Sequence, residues 1–132
     1  MGKSLLGARI GDAPYWAERL NISLEEARAL IQALWELQEI FPARESWIRR
    51  VVYRVLRKTV RIVRKDVWSV RGLPELGDYY PYYIVYYSRG KYFCDCYARA
   101  WGYKRRKRIC THVGAVILWR KMRSKIVSYI DT

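Results

Sequence analysis

The sequence predicts an α+β fold: N-terminal helices, then a small antiparallel sheet and one further helix in a ββα-like order. Three observations predict it. Ala27, Leu30, Ile31, Leu34, Trp35, Leu37 and Phe41 recur at the i, i+3, i+4, i+7 spacing of an amphipathic helix. Tyr79–Ser88 is a run of β-favouring side chains, followed by a hairpin signal at Ser88-Arg-Gly-Lys91. From Thr111 an apolar run, Val113–Trp119, passes into Arg120, Lys121, Arg123 and Lys125, the pattern of a helix reaching about Tyr129. At 132 residues the chain is one domain's worth, divided by this pattern into a helical region, 1–65, and a sheet-plus-helix module, 66–132.

Taken in order, residues 4–20 are weakly patterned, interrupted by Gly7 and Gly11. Asp12 caps a short helix with Pro14 in its first turn. Ser23-Leu-Glu-Glu26 is a capping box, with the Ser hydroxyl placed to accept an amide three residues on. Pro42 ends the helix it starts. Ala17–Ser23 also has a weak likeness to the turn of a helix-turn-helix, but Glu25, Glu26, Glu36 and Glu39 on the following helix would repel phosphates. That helix is a candidate face for a protein partner or a second copy of the chain.

Ser46 caps a longer expected helix, 46–65. On a helical projection Ile48, Val51, Val52, Val55, Leu56, Val60, Ile62 and Val63 take one half. Arg50, Arg54, Arg57, Lys58, Arg61, Arg64 and Lys65 take the other, a basic stripe that is either a solvated face or a track for a nucleic-acid backbone. The abundance of Val and Ile makes a strand from Thr59 onward the competitor. A short strand follows at Val67–Arg71, then a Pro- and Gly-containing loop, 73–78. Tyr79–Ser88 and Tyr92–Cys94 complete a sheet of about three strands. Nine of the twelve tyrosines lie between Tyr79 and Tyr103, more than one small core absorbs; they either cover the sheet or stack on bases or a partner.

All three cysteines and the single histidine fall in one stretch, as Cys94-x-Cys96 and Cys110-x-His112 with 13 residues between the pairs. Three sulfurs and one imidazole are the number and kind of donors for a closed tetrahedral Zn²⁺ site. Unliganded buried thiols and a Cys–His nucleophilic pair are the alternatives. A module of about 60 residues has a marginal apolar core, which one structural zinc ion would offset. Together these features make 66–132 a candidate zinc-finger module.

The pattern C-x-C, a spacer, then Cys110-Thr-His112-Val-Gly-Ala115 resembles the SWIM zinc finger, a short sheet followed by a helix, over roughly residues 66–120. Residues 1–65 have no counterpart in that motif. The resemblance implies DNA- and protein-binding. Small stand-alone members of the family resemble partners of recombinase paralogues in homologous recombination.

Net charge is +14, unevenly spread. Residues 1–45 hold five Lys/Arg and seven Asp/Glu; residues 46–132 hold the other 21 cations and five carboxylates. A basic body behind a slightly acidic head is the footprint of a polyanion binder. The spacer carries five consecutive cations, Lys104, Arg105, Arg106, Lys107 and Arg108. With Arg120, Lys121, Arg54, Arg57, Lys58 and Arg61 they are the expected nucleic-acid contacts, to DNA more than to RNA.

Catalysis is not expected. Four protein ligands leave no open coordination position. The five carboxylates are dispersed, and no Gly-rich phosphate loop is present. The cysteine count argues against disulfides and secretion, and the seven-residue apolar run is far short of a membrane span. The expectation is therefore a soluble intracellular protein associated with the nucleoid or nucleus. It would be a non-enzymatic accessory factor in recombination, repair or transcription, or else a protein–protein adaptor in a DNA-processing complex.

Overall fold

The computed structural model describes residues 4–41, 44–98 and 109–126. Among them the chain is α+β, with four α-helices and one four-stranded antiparallel sheet. The helices are α1 (Ala13–Leu20), α2 (Leu24–Ile40), α3 (Glu45–Leu56) and α4 (Thr111–Arg123). The strands are β1 (Val60–Arg64), β2 (Val67–Arg71), β3 (Tyr82–Ser88) and β4 (Lys91–Cys94), paired in sequence order. No helix among the described residues is long and apolar enough to cross a membrane. The chain forms two compact units, Met1–Glu45 with Arg120–Thr132, and Ser46–Trp119. The boundary expected at residue 65 falls inside the β1–β2 hairpin, so it cuts through one sheet.

In the first unit, local chemistry sets the helix ends. Asp12 precedes α1 and turns its carboxylate back to accept the Arg9 amide at 3.0 Å. Asn21 closes α1 with a left-handed φ of 55°, which its short polar side chain tolerates. The Ser23 hydroxyl accepts the Glu26 amide at 3.0 Å, satisfying one orphan donor of α2. Phe41, ahead of Pro42, is extended and ends α2 one residue earlier than the periodicity suggests. Ala13 and Trp16 of α1 share a buried cluster with Ala27 and Ile31 of α2. Leu34 is buried, whereas Trp35 is half exposed and its indole N–H donates to the Ala8 carbonyl at 2.7 Å.

The second unit corrects the expected long helix. α3 stops at Leu56, and the strand reading from Thr59 prevails. Lys58 takes a left-handed φ of 57°. Its amide donates to Val55, and the Thr59 amide reaches back to Arg54, the paired bonds of a Schellman stop. The Thr59 hydroxyl adds a third bond to the Arg54 carbonyl at 2.9 Å. The β-branched Val60, Ile62 and Val63 then enter β1. The basic stripe is therefore divided between a helix and a strand.

The sheet is a four-stranded meander rather than one of three strands. Arg89 and Gly90, at φ 51° and 80°, turn β3 into β4 with the primed geometry that suits a two-residue hairpin. Strand alternation sends Trp68, Val70, Tyr83, Val85 and Cys94 to the buried face. Gly114 of α4 lies so close to α3 that an added Cβ would stand 2.6 Å from Val51 Cγ2 and 2.7 Å from the Trp47 ring. Trp47 also donates its indole N–H to the Ile109 carbonyl at 2.8 Å, fixing the segment that enters α4.

Candidate metal centre

Each of the four candidate ligands, Cys94, Cys96, Cys110 and His112, is placed by a different local device. Cys94 is the last residue of β4, opposite Val85, and alternation aims it inward. The chain then turns into a 3-10 helix, Asp95–Ala98, which brings Cys96 to the same side. Cys110 immediately precedes α4 and its carbonyl accepts the Gly114 amide. Its sulfur lies 3.5 Å from the Val113 N–H, so the positive end of the helix faces the thiol. His112 sits in the first turn of α4.

All four residues are buried, and their donor atoms lie within 4.8 Å of one another. Metal–sulfur bonds of about 2.3 Å in a tetrahedron give ligand–ligand edges of about 3.8 Å. The Cys94 Sγ to His112 Nδ1 distance of 3.7 Å matches such an edge. The arrangement fits one metal ion held by three sulfurs and the Nδ1 nitrogen.

The other ring nitrogen of His112 is also occupied. Nε2 lies 3.0 Å from Asp78 Oδ1, a partner that would keep a proton on Nε2 and make Nδ1 the nitrogen that gives up its proton to a metal. Asp78 is anchored in turn by the Leu73 amide at 2.7 Å and by both terminal nitrogens of Arg54, at 2.5 and 3.0 Å. The Arg54 Nε–H donates to the Thr111 hydroxyl at 3.0 Å, one residue from His112. Tyr83 lies flat on the imidazole, with ring centres 4.0 Å apart and planes 19° from parallel. Its hydroxyl accepts the amides of Tyr79 and Tyr80, tying the loop before β3 to the site.

The electrostatics follow from this crowding. Burial works to raise the Asp78 pKa, but bonds from His112, Arg54 and the Leu73 amide outweigh it and hold the carboxyl well below its usual range. Burial works to lower the His112 pKa, yet Asp78, Cys110 and Cys96 push it up to about 10. Cys94 is driven up by its neighbours Cys110 and Cys96 and by burial. Cys110 is driven down: burial opposes ionisation there, but bonds from Cys94, Cys96 and His112 prevail. Protons shared unequally within one knot of donors are what a divalent cation displaces when it binds.

The structure thus brings together Cys94, Cys96, Cys110 and His112. It overturns the assignment of Arg54 to a nucleic-acid surface: the side chain is 2% exposed and its guanidinium is committed to Asp78 and Thr111. Arg57, Lys58 and Arg61 are exposed. Arg57 pairs with Glu75 at 3.5 Å, an exposed contact of little energetic weight. Arg120 is exposed and Lys121 is half-buried. Lys104, Arg105, Arg106, Lys107 and Arg108 lie outside the described residues.

Sequence reading missed Asp78, Arg54, Tyr83 and Thr111 as supports of the site. One signal was present: a histidine ligand needs an acceptor for its second nitrogen, and residues 46–132 offer only five carboxylates. Nothing in the order of residues selects Asp78 among them. No protein-family model, curated protein or solved structure matches the chain.

Proposed function

We propose that the Cys94–Cys96–Cys110–His112 cluster binds a single structural Zn²⁺ as a SWIM-type finger, and that the module it holds together binds nucleic acid, DNA in preference to RNA, without catalysis. The observation that carries this reading is the closed donor set. All four donors are protein atoms, His112 is locked by Asp78 behind it, and so the site serves architecture rather than turnover. Bound zinc would supply the cross-link between the end of β4 and the start of α4. The protein's own residues do the rest: Asp78 fixes the tautomer, Arg54 neutralises Asp78, and Tyr83 covers the ring.

The charge of the same region supports a polyanionic partner, since residues 46–132 carry 21 of the 26 cations. Arg57, Lys58 and Arg61 are exposed, and the five cations at 104–108 are contiguous in the chain. A role as an accessory factor in recombination, repair or transcription is the biological setting we infer. An adaptor for a recombinase paralogue or another DNA-processing complex is a second reading, supported by the half-exposed Trp35 on α2.

A salt series tests the first reading against the second. Binding to labelled duplex and single-stranded DNA should weaken steeply with salt, by about 0.9 log units per log unit of salt for each duplex phosphate neutralised. Replacing Lys104–Arg108 with Gln should flatten that dependence with the metal content unchanged. No measurable affinity for either DNA at low salt would overturn the nucleic-acid reading and leave the adaptor.

A further inference from the structure

The outward face of the sheet bares aromatic rings, and its described strands carry no carboxylate. Strand register places Tyr82, Ile84, Tyr86 and Ser88 of β3 on this face, with Val67, Ser69 and Arg71 of β2 and Lys91 and Phe93 of β4. Arg61 and Arg64 line it from β1, opposite Ser69 and Val67. Tyr82, Ile84 and Tyr86 are 58%, 38% and 42% exposed. Tyr86 and Phe93 stack across the strands, 5.1 Å apart with planes 18° from parallel. None of the four strands contains an Asp or Glu.

A sheet face that bares adjacent aromatic rings marks an interaction site. A second copy of the chain would bring Arg61, Arg64, Arg71 and Lys91 against their own like charges. A base, in contrast, offers a π face to each ring, and its phosphate offers the charge that complements those cations. In a duplex the base faces are already stacked on one another, so only an unpaired strand can lay bases on a sheet. Arg71 already donates one N–H to the Arg57 carbonyl, at 3.1 Å, which steadies the guanidinium at the edge of the patch.

We propose that this face is a platform for single-stranded nucleic acid. Bases stack on Tyr82 and on the Tyr86–Phe93 pair, and phosphates run past Arg61, Arg64, Arg71 and Lys91. The proposal rests on the nucleic-acid reading above and names its substrate form. It places the binding surface on the sheet, where that reading relied chiefly on the cations of 104–108.

The test uses the full chain with its metal. Fluorescence anisotropy is read with labelled oligo-dT, oligo-rU and a duplex of equal length, across a salt series, for wild type, Tyr82→Ala/Tyr86→Ala and Tyr82→Phe/Tyr86→Phe. Metal content and thermal unfolding serve as fold controls. We expect the wild type to prefer a single strand over the duplex. The alanine pair should lose about a hundredfold of that affinity, at about a factor of ten for each base stack removed, with the salt slope unchanged. The phenylalanine pair should keep it. Arg61→Gln/Arg64→Gln should instead flatten the slope by about 0.7 for each phosphate left unneutralised. Equal affinity for duplex and single strand, untouched by the alanine pair, overturns the platform and leaves general nucleic-acid binding standing. Absence of binding to all three probes overturns both. Sedimentation with phosphatidylserine vesicles that disappears in the alanine pair, without any change in oligonucleotide affinity, assigns the face to a membrane and overturns the platform.

Discussion

Asp78 Oδ1 lies 3.0 Å from His112 Nε2, and the same carboxylate is gripped by both terminal nitrogens of Arg54. A residue from the loop before β3 therefore decides which imidazole nitrogen faces the three sulfurs. Asp78→Asn keeps the shape but replaces the charge and can present an N–H to the ring. Metal affinity should fall by about 10–100-fold, the usual cost of losing such a partner. The buried Arg54 would also be left without its counter-charge, at about 3–5 kcal/mol of stability. Competition with a graded chelator reads the first effect, and denaturant unfolding of the metal-loaded protein reads the second. Wild-type metal affinity in the variant would show that His112 is oriented by something else.

Removing the metal should do more than lower stability. In the second unit the end of β4 and the start of α4 meet at the Cys/His cluster, and structural zinc in small modules contributes about 10–16 kcal/mol of apparent free energy. That matches or exceeds the total stability of an ordinary domain, about 5–15 kcal/mol. A strong chelator should therefore unfold Ser46–Trp119 at room temperature, and Cys96→Ser or His112→Ala should fail to fold. Metal analysis should find about one equivalent per chain in protein purified without chelator. The sheet signature in circular dichroism should return when Zn²⁺ is restored. Retention of native tyrosine and tryptophan fluorescence in excess chelator would sink this expectation.

The clustering of Cys94, Cys96, Cys110 and His112 was legible because one histidine and three cysteines, in two close pairs, leave few ways to be used. The amphipathic α2 and the Arg89–Gly90 hairpin were legible for a similar reason, each depending on residues adjacent in the chain. What was illegible depends on pairing at a distance. Val60, Ile62 and Val63 fit the apolar half of a helix as well as a strand, and only the stop at Lys58 decides between them. That stop is made by a lysine in the left-handed region, where sequence reading looks for glycine. Arg54 was misread because a helical projection shows which side of a helix a residue takes, and not what that side meets. Here it meets Asp78, 24 residues on.

Gly114 offers a test in which the sign itself is informative. In an exposed helix Gly→Ala stabilises by roughly 0.5–1 kcal/mol. At Gly114 the new methyl would stand 2.6 Å from Val51 Cγ2 and 2.7–2.8 Å from the Trp47 ring. Both neighbours are held, Val51 by full burial and Trp47 by its bond to the Ile109 carbonyl. Gly114→Ala should therefore destabilise, by about 1–3 kcal/mol. Adding Val51→Ala removes the nearer clash, and in that background Gly114→Ala should cost less. Denaturant unfolding of the four proteins in the cycle measures the coupling. A neutral or stabilising effect of the single substitution would mean that α3 and α4 do not approach closely at this residue.

Two arginines that look alike in the sequence have different surroundings in the fold. Arg54 and Arg61 were both expected on one basic stripe. The structure buries Arg54 against Asp78 and leaves Arg61 exposed on β1. Arg54→Gln should cost stability, because Asp78 would keep its charge in a buried site without the bidentate grip that compensates it. By the figure for breaking a buried pair the cost is about 3–5 kcal/mol. Any change in nucleic-acid affinity should follow the loss of folded, metal-loaded protein and vanish when affinity is referred to that fraction. Arg61→Gln should behave in the opposite way. Stability should shift by no more than about 0.5 kcal/mol, as for most surface substitutions. The salt dependence of binding should flatten by about 0.7 on a single strand or 0.9 on a duplex. Unfolding curves and anisotropy salt series on the same two proteins decide the matter. If both substitutions flattened the salt slope equally and neither lowered stability, Arg54 would have to reach solvent, and the Arg54–Asp78–His112 chain would not hold the metal site.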